Sequence, residues 1–150
     1  MTERVDFYVL ASATPRERLT LGCRLADKAY QRKLQVLIAT DSESEARELD
    51  ELLWTFADRA FLPHHCCGDG DCAEPTLPVH VRVRLEPASP ADLLVNLAAR
   101  LPAPLERFAR IAEVIDADPE RRRLGRERFK AYRDLKIPLE THQLGDGAEP

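Results

Sequence analysis

The sequence predicts a single-domain, three-layer α/β protein with a mixed, mostly parallel sheet of roughly five to seven strands. Three observations lead there. A short apolar run at Val5–Leu10 is followed by a helical pattern and a second apolar run at Gln35–Thr40. Strand, helix and strand in so few residues make a βαβ unit, whose two strands are parallel. The chain has 150 residues, 44% of them apolar, which is one ordinary domain with enough material for a core.

Each element has its own signal. Val5–Leu10, VDFYVL, is β-branched and aromatic and reads as a buried first strand. Ala11–Thr14 is a turn, and Pro15 suits the first turn of a helix. Leu19, Gly22, Cys23, Ala26 and Tyr30 then recur at helical spacing. The small residues among them let this helix lie close to a sheet. After the second strand, Asp41-Ser42 supplies an N-cap, with Glu43 and Glu45 in the first turn where the helix dipole favours anions. That helix runs through Ala46, Leu49, Leu52 and Leu53 to Trp54.

Ala60–Pro63 reads as a short strand and His64–Pro78 as a loop. Val79–Leu85 alternates, with Val79, Val81, Val83 and Leu85 on one face and His80, Arg82 and Arg84 on the other. This is a half-exposed strand near a sheet edge. Ser89-Pro90 introduces a strand at Leu93–Leu97, and Pro102 and Pro104 break the chain before another at Ala109–Ile115. Pro119 opens a basic helix, for which Leu124, Ala131 and Leu135 are the expected core contacts. Ile137–Leu144 closes the sheet. The domain is expected to span residues 1–144, with Gly145–Pro150 a frayed tail lacking apolar groups.

Composition excludes several classes. The opening MTERVDF has no basic segment leading into an apolar one, and no run is long enough to cross a membrane. A cytoplasmic location is expected, where the four cysteines would stay reduced. The net charge of −4 does not suit a general nucleic-acid coat. The first βα turn, Ala11-Ser12-Ala13-Thr14-Pro15, has no glycine, so it builds no phosphate cradle.

Three features carry possible chemistry. His64, His65, Cys66, Cys67 and Cys72 are ligand types that zinc accepts, but adjacent ligands converge poorly on one ion and no CxxC spacing is present. No metal or cofactor is therefore expected. Arg121–Lys136 carries eight basic and two acidic residues inside an acidic chain. On a helix, Arg122, Arg126, Phe129, Lys130 and Arg133 share one face, joining cations to an aromatic ring. Such a face suits phosphates or an acidic peptide with an apolar anchor. Trp54, the only tryptophan, is either core or an anchor for a protein partner.

The residues also resemble a known family, the chi subunit of bacterial DNA polymerase III holoenzyme. The resemblance rests on VDFYVL, on QVLIAT followed by ELDELLW, on FLPH (Phe61–His64), DLLVNL (Asp92–Leu97), AEVID (Ala112–Asp116) and above all RERFKAYR (Arg126–Arg133). These pieces come in the family's order and reach about Leu144. The resemblance implies a non-catalytic replication subunit with a fold like a mononucleotide-binding domain that lacks the phosphate-binding loop. Its implied partners are the psi subunit, which ties it to the clamp loader, and the acidic C-terminal tail of single-stranded DNA-binding protein. It implies a tail site of Arg126, Phe129, Lys130, Arg122 and Phe61. It implies Trp54 as the contact for psi or a repair helicase. DNA would be met only indirectly and a membrane not at all. Phe129 stands where the family commonly has tyrosine.

Two other readings compete. One is a metal- or thiol-dependent protein using the His64–Cys72 loop. The other is a direct single-stranded DNA-binding module, with Phe129 and Tyr132 stacking on bases.

Overall fold

The computed structural model describes residues 2–55, 64–68, 79–83, 91–102 and 108–144. They form one domain built on a seven-stranded sheet. In chain order the elements are β1 (Arg4–Leu10), α1 (Pro15–Gln31), β2 (Val36–Ala39), α2 (Glu43–Thr55), β3 (His64–Gly68), β4 (Val79–Arg82), β5 (Ala91–Asn96), β6 (Phe108–Ile115), α3 (Pro119–Asp134) and β7 (Leu139–Leu144). The spatial order is β3-β4-β2-β5-β6-β1-β7. The expected sheet is thus present, and all its pairings among the described residues are parallel.

The layers follow from strand alternation. Leu10, Val36, Ile38, Val95, Ala112 and Val114 face one side, where they pack with Leu19, Cys23 and Ala26 of α1 and Ala46, Leu49 and Leu53 of α2. Val5, Phe7, Leu37, Leu94, Ile111 and Ile115 face the other side, where they pack with Tyr132 of α3. The crossover β1-α1-β2 travels one way along the sheet, and β6-α3-β7 travels the other way. One crossover hand then requires helices on opposite faces.

Local signals explain the ends. The Ser42 hydroxyl accepts from Glu45 N–H (3.1 Å), capping α2 as expected. Asp118 caps α3 by accepting from Arg121 N–H (2.9 Å), with Pro119 behind it. Both α1 and α3 end with a lysine at positive φ, Lys33 at 63° and Lys136 at 61°. At α3, Ile137 N–H reaches Tyr132 O (3.2 Å) and Lys136 N–H reaches Arg133 O (2.9 Å). That bond pair closes a Schellman turn, and α1 closes the same way through Leu34 and Lys33.

Three expectations are corrected. His64–Gly68 is the edge strand β3, paired with β4, rather than part of a loop. An edge strand needs only one paired side, so it can form without an apolar run. Arg82, expected on an exposed face, is buried. In α3 the buried residues are Gly125, Arg128 and Tyr132, while Leu124 and Ala131 are only partly buried and Leu135 is 56% exposed. Leu135 follows the last helical residue, at the exposed turn that joins α3 to β7. The expected strand at Ala60–Pro63 lies outside the described residues.

Candidate functional site

Helix α3 sorts its cations by what surrounds them. Arg121 forms a two-pronged pair with the buried Asp116 (2.9 and 3.1 Å). Arg123 lies between Glu120 and Glu127, three residues before it and four after (2.5 and 3.2 Å). Arg128 turns into the protein and bonds Glu113 (3.0 Å). Arg122 donates to the backbone carbonyls of Leu10 and Asp116 (both 3.2 Å), clasping the helix to the C-terminal end of β1. Arg126, Lys130, Arg133 and Lys136 are exposed and make no ion pair among the described residues. The basic run is therefore partly internal structure and partly free charge.

A groove of about 250 Å³ lies between α3 and the end of the sheet. Phe7, Val9 and Ile115 give it an apolar floor. Arg122, Gly125, Arg126 and Phe129 form the helix wall, and Thr141 and Gln143 form the wall on β7. Phe129 is half-buried and meets Phe7 edge-on, with ring centroids 5.2 Å apart. Gly125 sets the depth of the groove. A Cβ there would lie 2.3 Å from Ile115 Cδ1, so any larger residue would force the Ile115 side chain to shift.

Of the expected tail-site residues, Arg122, Arg126 and Phe129 meet at this groove, and Lys130 stands exposed on the same helix without lining it. Phe61 and Cys72 lie outside the described residues. His64, His65, Cys66 and Cys67 are placed by backbone only, along edge strand β3. Trp54 belongs to α2, whose neighbours Leu49 and Leu53 pack on the opposite face of the sheet from α3. Sequence reasoning missed Phe7, Val9, Ile115, Thr141 and Gln143. Their signal was alternation along β1, β6 and β7, which tells which residues share a face but not which face meets a helix.

Beneath the groove wall is a buried polar network. Glu113, fully buried, accepts from Arg128 Nε (3.0 Å), Asn96 Nδ2 (3.0 Å) and Tyr132 Oη (2.6 Å). Burial pushes the Glu113 carboxyl up, against the pull of the Arg128 charge and the bonds from Tyr132 and Asn96. Burial and the neighbouring carboxylate also drive the Tyr132 hydroxyl far up, so it stays neutral. Tyr132 has no exposed surface and cannot stack on a base as the DNA-binding reading requires.

A second charged group spans β1 and β7. Asp6, Glu140 and His142 bring metal-type atoms within 4.8 Å of one another. Arg4 and Arg110 already hold Asp6 (2.8 and 3.0 Å), and Arg4 also contacts Glu140. Positive charge is thus supplied by arginine. Burial pushes the Asp6 carboxyl up, but bonds from His142, Arg110 and Arg4 outweigh it and the net shift is downward.

Comparisons with known proteins identify the family. The family model described as DNA polymerase III chi subunit, HolC, matches residues 1–140. The chain is 38% identical over 141 residues to the DNA polymerase III subunit chi of Pseudomonas aeruginosa, covering 94% of this chain and 96% of that one. It is 29% identical over 144 residues to the protein of the same name from Escherichia coli K12 (93% and 97% covered). It is 27% identical over 146 residues to that from Haemophilus influenzae (97% and 100%). Matched over nearly its whole length by the family model and by such a relative, the chain belongs to the DNA polymerase III chi subunit family.

Proposed function

We propose that this protein is a non-catalytic accessory subunit of the cytoplasmic DNA polymerase III holoenzyme. In this reading it links psi and the clamp loader to the acidic tail of single-stranded DNA-binding protein. The observation that carries it is the groove, where the free cation Arg126 and the clasped Arg122 overlook an apolar floor. A tail of aspartates with an apolar terminal residue presents the complementary features. Arg126, with Lys130 one turn on, takes the carboxylates through charge-assisted hydrogen bonds. The apolar residue enters between Phe129 and the floor of Phe7, Val9 and Ile115. Exposed ion pairs give only ~0.2–1 kcal/mol each, so a micromolar complex near ~8 kcal/mol depends on the apolar subsite as well.

Arg122 enters this reading with a second duty. Its bonds to Leu10 and Asp116 orient it, so its charge is fixed at the groove at no further entropic cost. Trp54 is the proposed contact for psi or, alternatively, a repair helicase. Because α2 and α3 lie on opposite sheet faces, both partners can be held together, and a weak tail contact then gains from the second link.

Titration of a fluorescein-labelled acidic tail peptide tests the reading. Arg126→Ala should weaken binding about fivefold or more while leaving the circular dichroism spectrum unchanged. Equal affinity for wild type and variant at low salt would show that the groove is not the tail site.

A further inference from the structure

The residues that wall the groove on β7 also own an open sheet edge. Among the described residues, strand β7 is the last of the sheet and pairs only with β1. Val5 N–H donates to Pro138 O (2.9 Å) and Ala11 N–H to Leu144 O (3.1 Å). Backbone groups alternate along a strand, so the even-numbered residues from 138 to 144 face β1 and the odd-numbered ones face outward. Thr141 and Gln143 therefore turn N–H and C=O away from the sheet. Their side chains sit in register with Phe7 and Val9, on the α3 side, at the groove.

We infer that an acidic peptide seated in this groove adds to the sheet as a further strand, pairing its backbone with the outward N–H and C=O of Thr141 and Gln143. The inference rests on the tail-binding reading and extends it from side chains to main chain. Three observations carry it. The edge is open on the groove side, since residues 139–144 include neither proline nor lysine and their one acidic side chain, Glu140, pairs with Arg4 on the opposite face. The exposed cation Arg126 overlooks the same side of the domain, since it shares the groove with Thr141 and Gln143. A run of aspartates repels itself into an extended chain, the shape that strand addition needs. Side-chain contacts alone would read charge and tip. Main-chain pairing also fixes the register between them, making Thr141 and Gln143 determinants of which acidic tails fit.

The experiment uses the full chain and a fluorescein-labelled peptide of aspartates ending in Leu-Phe. Thr141→Pro removes an outward N–H that β1 does not use, and should weaken binding about fivefold. Thr141→Val keeps that N–H and should weaken binding less than Thr141→Pro does. The same peptide N-methylated at alternate backbone nitrogens should lose affinity for the wild-type protein in one of its two methylation frames. Should Thr141→Pro fail to fold, the methylated peptides decide. If Thr141→Pro and both methylated peptides match the unmodified pair while Arg126→Ala weakens binding, strand addition is wrong and the groove reading stands. If the wild-type protein does not bind the peptide, both fall.

Discussion

Removing the Glu113 carboxylate should cost this protein a large part of its stability. In Glu113→Ala, the Arg128 guanidinium, only 7% exposed, loses its buried partner. Tyr132 Oη loses its acceptor at the same time, and Asn96 Nδ2 keeps only the Arg100 carbonyl (3.3 Å). Breaking a buried pair from one side costs ~3–5 kcal/mol, and each orphaned donor adds ~1–3 kcal/mol where water cannot enter. The terms overlap, so a loss of at least ~4 kcal/mol is expected against a total of ~5–15 kcal/mol. Urea unfolding followed by far-ultraviolet circular dichroism measures it. With a slope near ~2 kcal/mol per molar, the midpoint should fall by about 2 M. The double variant Glu113→Leu/Arg128→Met should regain part of the loss, because it removes the unpaired buried charge while Tyr132 Oη still lacks its acceptor. A loss below ~1 kcal/mol for Glu113→Ala would refute the view that this network ties α3 to β5 and β6.

Three further outcomes are expected. Lys136→Gly should stabilise the protein by ~0.5–1 kcal/mol, because the α3 turn holds this residue at a φ of 61°; thermal melting should rise by a few degrees. Asp6 is held below its ordinary value, so its contribution to stability is complete above pH 3.8 and disappears as pH falls through the lowered folded value. The stability gap between wild type and Asp6→Asn should therefore close on acidification, as read by unfolding midpoints across the acid range. Cys23 is fully buried with its thiol pushed up to about 12, so peptide mapping after iodoacetamide at mildly alkaline pH should find it alkylated only in denaturant.

The sheet was legible because its strands are short apolar runs separated by clear helix signals. Cys23 and Ala26 read correctly as the close-packing stripe of α1, since small apolar residues at helical spacing have few other uses. The burial of α3 was not legible. Leu135 looked like core by polarity, whereas Arg128 is the residue that goes inside. Its partner Glu113 lies on another element, and no local pattern joins two residues that satisfy each other only after folding. The site was half visible. Arg126 and Phe129 announce themselves by type and spacing on one helix. The floor of Phe7, Val9 and Ile115 depends on β1 lying between β6 and β7, a long-range fact that alternation does not encode.

That placement of β1 has a consequence for synthesis. Val5 pairs with Ile111 on one side and Leu139 on the other. Emerging from the ribosome, VDFYVL precedes both of the strands that shelter it. Both of its edges stay unpaired until most of the chain has been made, and non-local pairing of this kind is slow. A truncation that stops before β6 would leave it permanently exposed on both sides. The protection of β1 therefore depends on translation reaching β6 and β7.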